Sequence, residues 1–302
     1  MLDLSRVTLL FVETRAHKIT ERVIADCLSK ADFGDVLIYT DQPDLIRVDA
    51  NRRGRIISCP DFPNKREAGR FYYSEAMSKV YTDFALMLEW DAGIFDPAKW
   101  RPEFFDYDYI GAPWPRSRHQ PNAVFDVGNG GFTLMSRGLG EYICRHAEDF
   151  PVFTDMDVCR VQRGVYEAFG FKWPKAELAS CFAWELGYRN PDNFGFHGAF
   201  RWIDMLSREE LVIRAKLMTE TPYLLSKMKD VFRYDEIPWL EAELGAEAWA
   251  KWTAVREPRR GPSYVAGRPR GYVSPQQRAA MNLMQAQRRG LIAHRQNTGL
   301  KA

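Results

Sequence analysis

Long hydrophobic runs are missing from this 302-residue chain. Nowhere does it approach the roughly 18 consecutive apolar residues of a membrane-spanning helix. At the start, Asp3 and Arg6 stand where a secretory leader would carry a basic start and an uninterrupted apolar stretch, so the expected location is the cytoplasm. Cysteine is scarce as well. The five, Cys27, Cys59, Cys144, Cys159 and Cys181, are far apart and never at metal-ligand spacing, which argues against a zinc site or a disulfide framework and for reduced, mostly buried thiols. A glycine-rich dinucleotide fingerprint is absent too: after the first apolar run the chain reads Glu13-Thr14-Arg15, and a classical nicotinamide fold is not expected. There is no internal repeat. Acid is nearly absent beyond residue 250, where eleven Lys or Arg face the single Glu257, a net +10 that leaves −8 on the first 250 residues of a chain whose formal charge is +2.

What the chain does have is apolar material for a large core, 46% hydrophobic and 14% aromatic residues. Apolar runs alternate with amphipathic segments, as in a mostly parallel, doubly wound sheet. Residues 7–12 form the first expected strand, and Ile19, Val23, Ile24, Cys27 and Leu28 share one face of the helix after it. Further strands are expected over residues 36–39, ending at Thr40-Asp41, and over residues 55–58. A turn-rich loop, Pro60-Asp61-Phe62-Pro63-Asn64, then leads into a helix over residues 66–81.

The next apolar run, Phe84 to Leu88, ends in Glu89-Trp90-Asp91. Two carboxylates one residue apart leave a strand on the same side, and at a sheet rim such hard oxygen ligands can hold a divalent ion against a diphosphate. The same tripeptide also suits a strand that simply ends in solvated acids. Downstream, Asp106-Tyr107-Asp108-Tyr109-Ile110-Gly111-Ala112-Pro113-Trp114-Pro115 is followed by Val127-Gly128-Asn129-Gly130-Gly131-Phe132-Thr133-Leu134-Met135-Ser136-Arg137. Glycines packed around one asparagine permit positive φ angles and close backbone approach to a ligand, such as a sugar. A tight hairpin that needs glycine only for its turn fits equally.

The ordered set YIGAPW, GNGGF running into a strand and Ser-Arg, an acidic element, and FGFH resembles a bacterial and fungal family of glycosyltransferase-like proteins carried as a domain of unknown function. The resemblance covers roughly residues 5 to 200. It implies an α/β fold of the glycosyltransferase-A type, Rossmann-like with a mostly parallel central sheet, and a motif order similar to that of the beta-1,4-galactosyltransferases. The implied roles follow that order. Glu89 and Asp91 bind Mn2+ or Mg2+ and the nucleotide diphosphate, Gly128, Asn129, Gly130, Gly131 and Phe132 lie under the sugar, the Asp155-Met156-Asp157 element supplies a base, and His197 completes the metal ligands. Two departures stand out: Glu replaces the usual Asp in the metal element, and the family's Glu-Asp pair becomes Met156-Asp157, displaced by Asp155.

Glycosyl transfer from a nucleoside diphosphate builds negative charge on the departing diphosphate and asks the acceptor hydroxyl to lose a proton. A carboxylate serves as that base, Asp157 first and Asp155 second. Both acids also suit the first turn of a helix carrying Val158, Val161 and Val165, where carboxylates complement the helix dipole. Phe182-Ala183-Trp184-Glu185 matches the family's pattern of a phenylalanine three places before a glutamate, and Glu185 is either a partner of the metal residues or a helix-surface acid.

Nucleotide contacts are expected at strand ends, from Thr14 and Arg15 after the first strand and Asp41 after the second, with Arg70 on the helix before the metal strand. Trp90 and Trp114 can stack on a base or sugar, or fill the core. The expected organisation is a catalytic domain over residues 1–205, a helical extension over 206–255 with helical patterns at 208–218 and 223–232, and a basic tail over 256–302 with a further pattern at 276–288. Pro258, Gly261, Pro262, Gly267, Pro269 and Gly271 make the tail a solvated extension able to contact an anionic surface, including the inner membrane face, with no specific nucleic acid expected.

The sum is a metal-dependent glycosyltransferase moving a sugar, from a UDP-sugar by expectation and with inversion, to a glycan, lipid-linked or small-molecule acceptor. The alternatives are a nucleotidyltransferase, a sugar-nucleotide or glycan-binding module without catalysis, and a nucleic-acid-associated protein driven by the tail.

Overall fold

The structure is a computed structural model and describes residues 1–47, 54–114, 126–187, 189–225, 238–254 and 283. It is α/β. A six-stranded sheet contains β1 (Leu2–Glu13), β2 (Ala31–Thr40), β3 (Gly54–Ser58), β4 (Phe84–Leu88), β6 (Tyr109–Gly111) and β7 (Phe132–Ser136), in the spatial order β3-β2-β1-β4-β7-β6. Only β7 runs against the rest, antiparallel to β4 and to β6, so the sheet is mixed and mostly parallel. A three-stranded sheet of two-residue strands, β5 (Gly93–Ile94), β9 (Gly195–Phe196) and β8 (Ala183–Trp184), stands at its rim in the order β5-β9-β8.

The inner strands are buried on both faces, which is why they read as unbroken apolar runs. Successive side chains still alternate between two cores. Leu9, Phe11, Ile38, Leu86, Leu88 and Leu134 enter one, with α1 (His17–Lys30), α5 (Ala176–Phe182) and the small sheet. Leu10, Leu37, Tyr39, Ala85, Met87 and Met135 enter the other, with α2 (Lys65–Ser74), α3 (Arg137–Arg145) and α4 (Arg163–Ala168). Helix starts are set by local chemistry. Asn64 accepts from the amides of Arg66 and Glu67 to start α2, and Ser136 accepts from that of Leu139 to start α3, caps worth about 1 kcal/mol each.

At α1 the cap position holds Ala16, and the preceding strand supplies the missing acceptor. Glu13 Oε1 takes the amides of Arg15 and Ala16, both at 2.6 Å, and Oε2 takes the Thr20 hydroxyl at 2.9 Å. Burial is the largest influence on this carboxyl and raises it above the ordinary value.

One expectation changes in detail. The helix expected over residues 66–81 ends at Ser74, because Glu75 leaves helical geometry (φ −130°) and a 3-10 turn, Ala76–Lys79, follows and buries Ala76 and Met77. The described part of the expected helical extension packs into the first core: α7 (Arg208–Glu220) places Leu211, Val212, Ala215 and Met218 there, and Leu224, Leu240 and Leu244 join them from α8 (Pro222–Leu225) and α9 (Pro238–Leu244). The remainder of the pattern expected over 223–232, the one over 276–288 and the tail from residue 256 lie outside the described residues, residue 283 excepted. Among the described residues no helix is long and apolar enough to cross a membrane.

Candidate metal centre

Strand β4 delivers Glu89 to the sheet's carboxyl edge, beside β1, where the strand order reverses and α/β sheets bind ligands. The Glu89 amide extends the pairing with β7 by donating to the Gly131 carbonyl (3.0 Å), and a tight turn then returns the Ala92 amide to the Glu89 carbonyl (3.1 Å). The Trp90 ring, partly buried, meets that of Trp202, on α6 (Trp202–Met205), edge to face at 5.8 Å and so packs against the core. Asp91 is held twice: Trp202 Nε1 donates to its carbonyl and the Ala199 amide to its Oδ2, each at 3.2 Å. The Ala199 contact depends on Gly198, whose φ of +99° turns the chain there.

His197 follows β9 and closes the site. Its Nε2 lies 3.4 Å from Asp91 Oδ1 and 3.8 Å from Glu89 Oε2, and one ligand atom from each of the three residues falls within 4.8 Å of the others. Its Nδ1 lies 3.3 Å from Glu185 Oε1. The Asp91 and His197 side chains are 15% and 14% exposed whereas Glu89 is 47% exposed, so the site opens on the Glu89 side.

Asp91 Oδ1 and both His197 ring nitrogens are buried without a hydrogen bond of good geometry. Atoms left so cost about 1–3 kcal/mol each, and one divalent cation would satisfy Oδ1 and Nε2 together. Two carboxylates and an imidazole fit such an ion, and the nitrogen donor suits Mn2+ better than Mg2+. Burial would raise the Asp91 carboxyl, yet His197 and the Ala199 amide hold it below the ordinary carboxylate value. For His197, burial opposes the charged ring, but Asp91, Glu185 and Glu89 outweigh it and raise the imidazole well above its usual range.

The GNGGF segment wraps beneath. A Cβ at Gly131 would stand 2.1 Å from His197 Nε2, and one at Gly130 would stand 2.1 Å from the Tyr73 hydroxyl and 2.9 Å from Asp155 Cβ. These glycines are needed for close approach alone, since neither they nor Gly128 has positive φ. Gly128 backs onto Cys159 and the Trp114 ring, and Asn129 Oδ1 accepts the Gly131 amide at 3.1 Å, so both shape the turn. Phe132 departs from its expected place under the sugar. It is fully buried among Phe182 and Phe194, because β7 carries this side chain into the core.

The two acids of the Asp155-Met156-Asp157 element have different surroundings. Asp155 turns to the glycine loop, Oδ2 accepting from Gly130 N at 2.9 Å and Oδ1 from Met156 N at 2.7 Å. Burial pushes it up to about 6, with Glu89 adding to the rise and His197 opposing it. Asp157 turns back on its own loop. Its Oδ2 accepts from the Phe153 and Thr154 amides and the Thr154 hydroxyl at 3.1–3.2 Å, before a π-helical turn, Asp157–Val161.

At the other strand ends, Arg15 donates to the Phe62 carbonyl (2.7 Å) with its guanidinium 5.4 Å from the Tyr223 ring centroid, Thr14 is partly exposed and Arg70 is exposed. Asp41 pairs with the buried His17, Oδ1 to Nε2 at 2.8 Å. Trp114 is partly buried, with the Arg160 guanidinium 4.5 Å from its ring centroid.

Three residues without a sequence signal join the site. The Tyr72 hydroxyl is buried without a hydrogen-bond partner, and burial and then Glu89 raise it well above the usual phenol range. Tyr73 abuts Gly130. Arg214, fully buried on α7, donates to the Ala92 carbonyl at 3.4 Å, directly behind Asp91. Asn64 caps the helix that carries both tyrosines, but nothing in the spacing of Tyr72-Tyr73 distinguishes them from core aromatics.

Residues 56–197 match a family described as "Protein of unknown function (DUF5672)". The matched segment begins in β3 and ends on His197, so it takes in Glu89, Asp91, the glycine loop, Asp155 and Glu185. No curated protein matches the chain.

Proposed function

We propose that the chain is a metal-dependent glycosyltransferase of the A type that transfers a sugar from a nucleoside-diphosphate donor, with UDP the favoured nucleotide, to a hydroxyl acceptor. The observation that carries this reading is the convergence of Glu89, Asp91 and His197, with orphaned Asp91 Oδ1 and His197 Nε2, at the carboxyl end of β4. An open, mostly parallel sheet whose order reverses between β1 and β4 supports the fold assignment.

A divalent cation held there would neutralise charge on the departing diphosphate. The chain's own groups divide the rest. The backbone of Gly128 to Gly131 borders the donor sugar, and the buried Tyr72 hydroxyl beside Glu89 has a free proton to donate to a diphosphate oxygen. Asp155, rather than Asp157, takes the proton from the acceptor hydroxyl as its oxygen bonds to the anomeric carbon and the bond to diphosphate breaks with inversion. Asp155 suits this because it borders the metal triad and the glycine loop, whereas Asp157 turns back on its own loop.

Thermal unfolding with a panel of nucleotide sugars, each with and without Mn2+, tests the proposal. A rise in melting temperature that requires both Mn2+ and one class of nucleotide sugar is expected. A nucleotide effect indifferent to the metal, or no effect across the panel, would overturn it. Donor stabilisation without turnover on any acceptor would favour the binding-module alternative.

A further inference from the structure

The small sheet brings two side chains together that lie far apart in sequence. Strands β8 and β9 pair in parallel with Trp184 opposite Phe196, so the next residue on each, Glu185 and His197, emerge side by side. The register is locked at that point, because the His197 amide donates to the Trp184 carbonyl at 3.0 Å. The Glu185 backbone is fixed from the other side: Arg201 Nε donates to its carbonyl at 2.6 Å while the guanidinium stacks 3.8 Å from the Trp184 ring centroid. Glu185 and His197 side chains are each 14% exposed, so neither is a solvated surface group.

The two faces of the imidazole edge are thereby assigned to different partners. Asp91 and Glu89 approach Nε2, and Glu185 approaches Nδ1 at 3.3 Å. The ring nitrogens point in divergent directions, so a cation shared by Asp91 and Nε2 cannot also be bound by Glu185.

We propose that Glu185 is a positioning residue for the metal centre, which holds His197 as the Nδ1–H tautomer with its Nε2 lone pair aimed at the cation between Asp91 and Glu89. A carboxylate behind a metal-binding histidine fixes ring orientation and makes the free nitrogen a stronger donor. The inference rests on the metal-centre reading above and extends it to a residue that touches neither metal nor substrate.

The test is direct Mn2+ titration of the whole chain by calorimetry, without substrate, on the native protein and on E185Q, E185L and D91A, with each variant's melting temperature measured in EDTA. Gln keeps an acceptor for Nδ1–H but loses the charge, and Leu loses both. The expected result is Mn2+ affinity weakened roughly 10–100-fold in E185L and less in E185Q, with EDTA melting temperatures near the native value. If E185L does not fold, the E185Q titration carries the test alone. Native-like affinity in the folded Glu185 variants, while D91A has lost binding, overturns the Glu185 role and leaves the metal centre standing. A native protein that takes up no Mn2+ overturns the metal centre itself, and the Glu185 role falls with it.

Discussion

The imidazole of His197 rests on the α-carbon of Gly131, so close that a Cβ there would lie 2.1 Å from Nε2 and 2.2 Å from Cδ2. No side chain fits without moving the ring, and the ring has little room to move between Asp91 and Glu185. Gly131→Ala is therefore expected to act at a distance of one methyl group. It should cost about 1–3 kcal/mol of stability by overpacking and abolish Mn2+-dependent stabilisation by displacing Nε2. Denaturant melts with and without Mn2+ check both effects, and an unchanged metal response would show that Nε2 is not a ligand.

Metal uptake should release a proton. Without a cation, burial works against the charged His197 ring but Asp91, Glu185 and Glu89 keep its value well above the usual imidazole range, so at neutral pH the ring carries its proton. A cation on Nε2 must displace that proton. The sign follows: affinity for Mn2+ rises with pH through the neutral range. In the metal-free protein, the stabilising charge pairing is fully present below about pH 6.5 and is lost only as pH climbs through the raised folded value. Calorimetry in two buffers of different ionisation enthalpy measures the protons released, and a value near zero at pH 7 contradicts the assignment.

How much of this was visible in the chain depends on the length of the element concerned. The parallel strands were legible because burial on both faces makes them unbroken apolar runs, and the same burial hid the fact that Phe132 faces the core. Glu89 and Asp91 were legible as acids at a strand end. The pairing of Glu185 with His197 depends on two strands of two residues each, too short to show a period in the sequence. Choosing between Asp155 and Asp157 required knowing which carboxylate the glycine loop engages, a contact across 25 residues.

Arg214 illustrates the same limit, since an arginine in a helix rich in charged residues reads as a surface charge. Here it is fully buried: Nε donates to Glu210 Oε1 at 2.8 Å, Nη2 lies 3.5 Å from Asp26 Oδ2, and Nη1 reaches the Ala92 carbonyl. Glu210 is shared with Arg22 of α1 at 2.9 Å. Removing the guanidinium leaves Glu210 to Arg22 and Asp26 to Lys30, so the cost comes from the lost buried hydrogen bonds and the emptied volume, about 2–4 kcal/mol. Arg214→Ala is expected to lower the melting temperature strongly and to weaken Mn2+ binding through the loosened turn behind Asp91. Retention of native stability and of native Mn2+ affinity would mean that Arg214 does not support the metal turn.

Asp155 and Asp157 provide the test that separates catalysis from scaffold. Burial raises Asp155 to about 6, from an ordinary value of 3.8. A base must be ionised to act, and a bound cation favours the carboxylate, so the transfer rate at saturating donor and acceptor should rise with pH to a plateau, with its midpoint no higher than about 6. Asp155→Asn should erase that limb, cut transfer by roughly 10²–10⁴ and leave donor affinity nearly intact. Stability gives an independent signature. Because the folded value is raised, the favourable contribution of this carboxyl is complete below about pH 3.8 and is lost as pH rises through about 6, where ionisation works against the fold. The Asn variant should therefore gain stability relative to the native chain as pH increases across that interval. Asp157→Ala should instead cost stability and leave catalysis largely intact. Losing the acceptor for the Phe153 and Thr154 amides should cost about 1–2 kcal/mol with a modest effect on turnover per folded molecule. If Asp157→Ala folds normally and loses transfer while Asp155→Asn keeps it, the base is Asp157 and the loop must rearrange when donor binds.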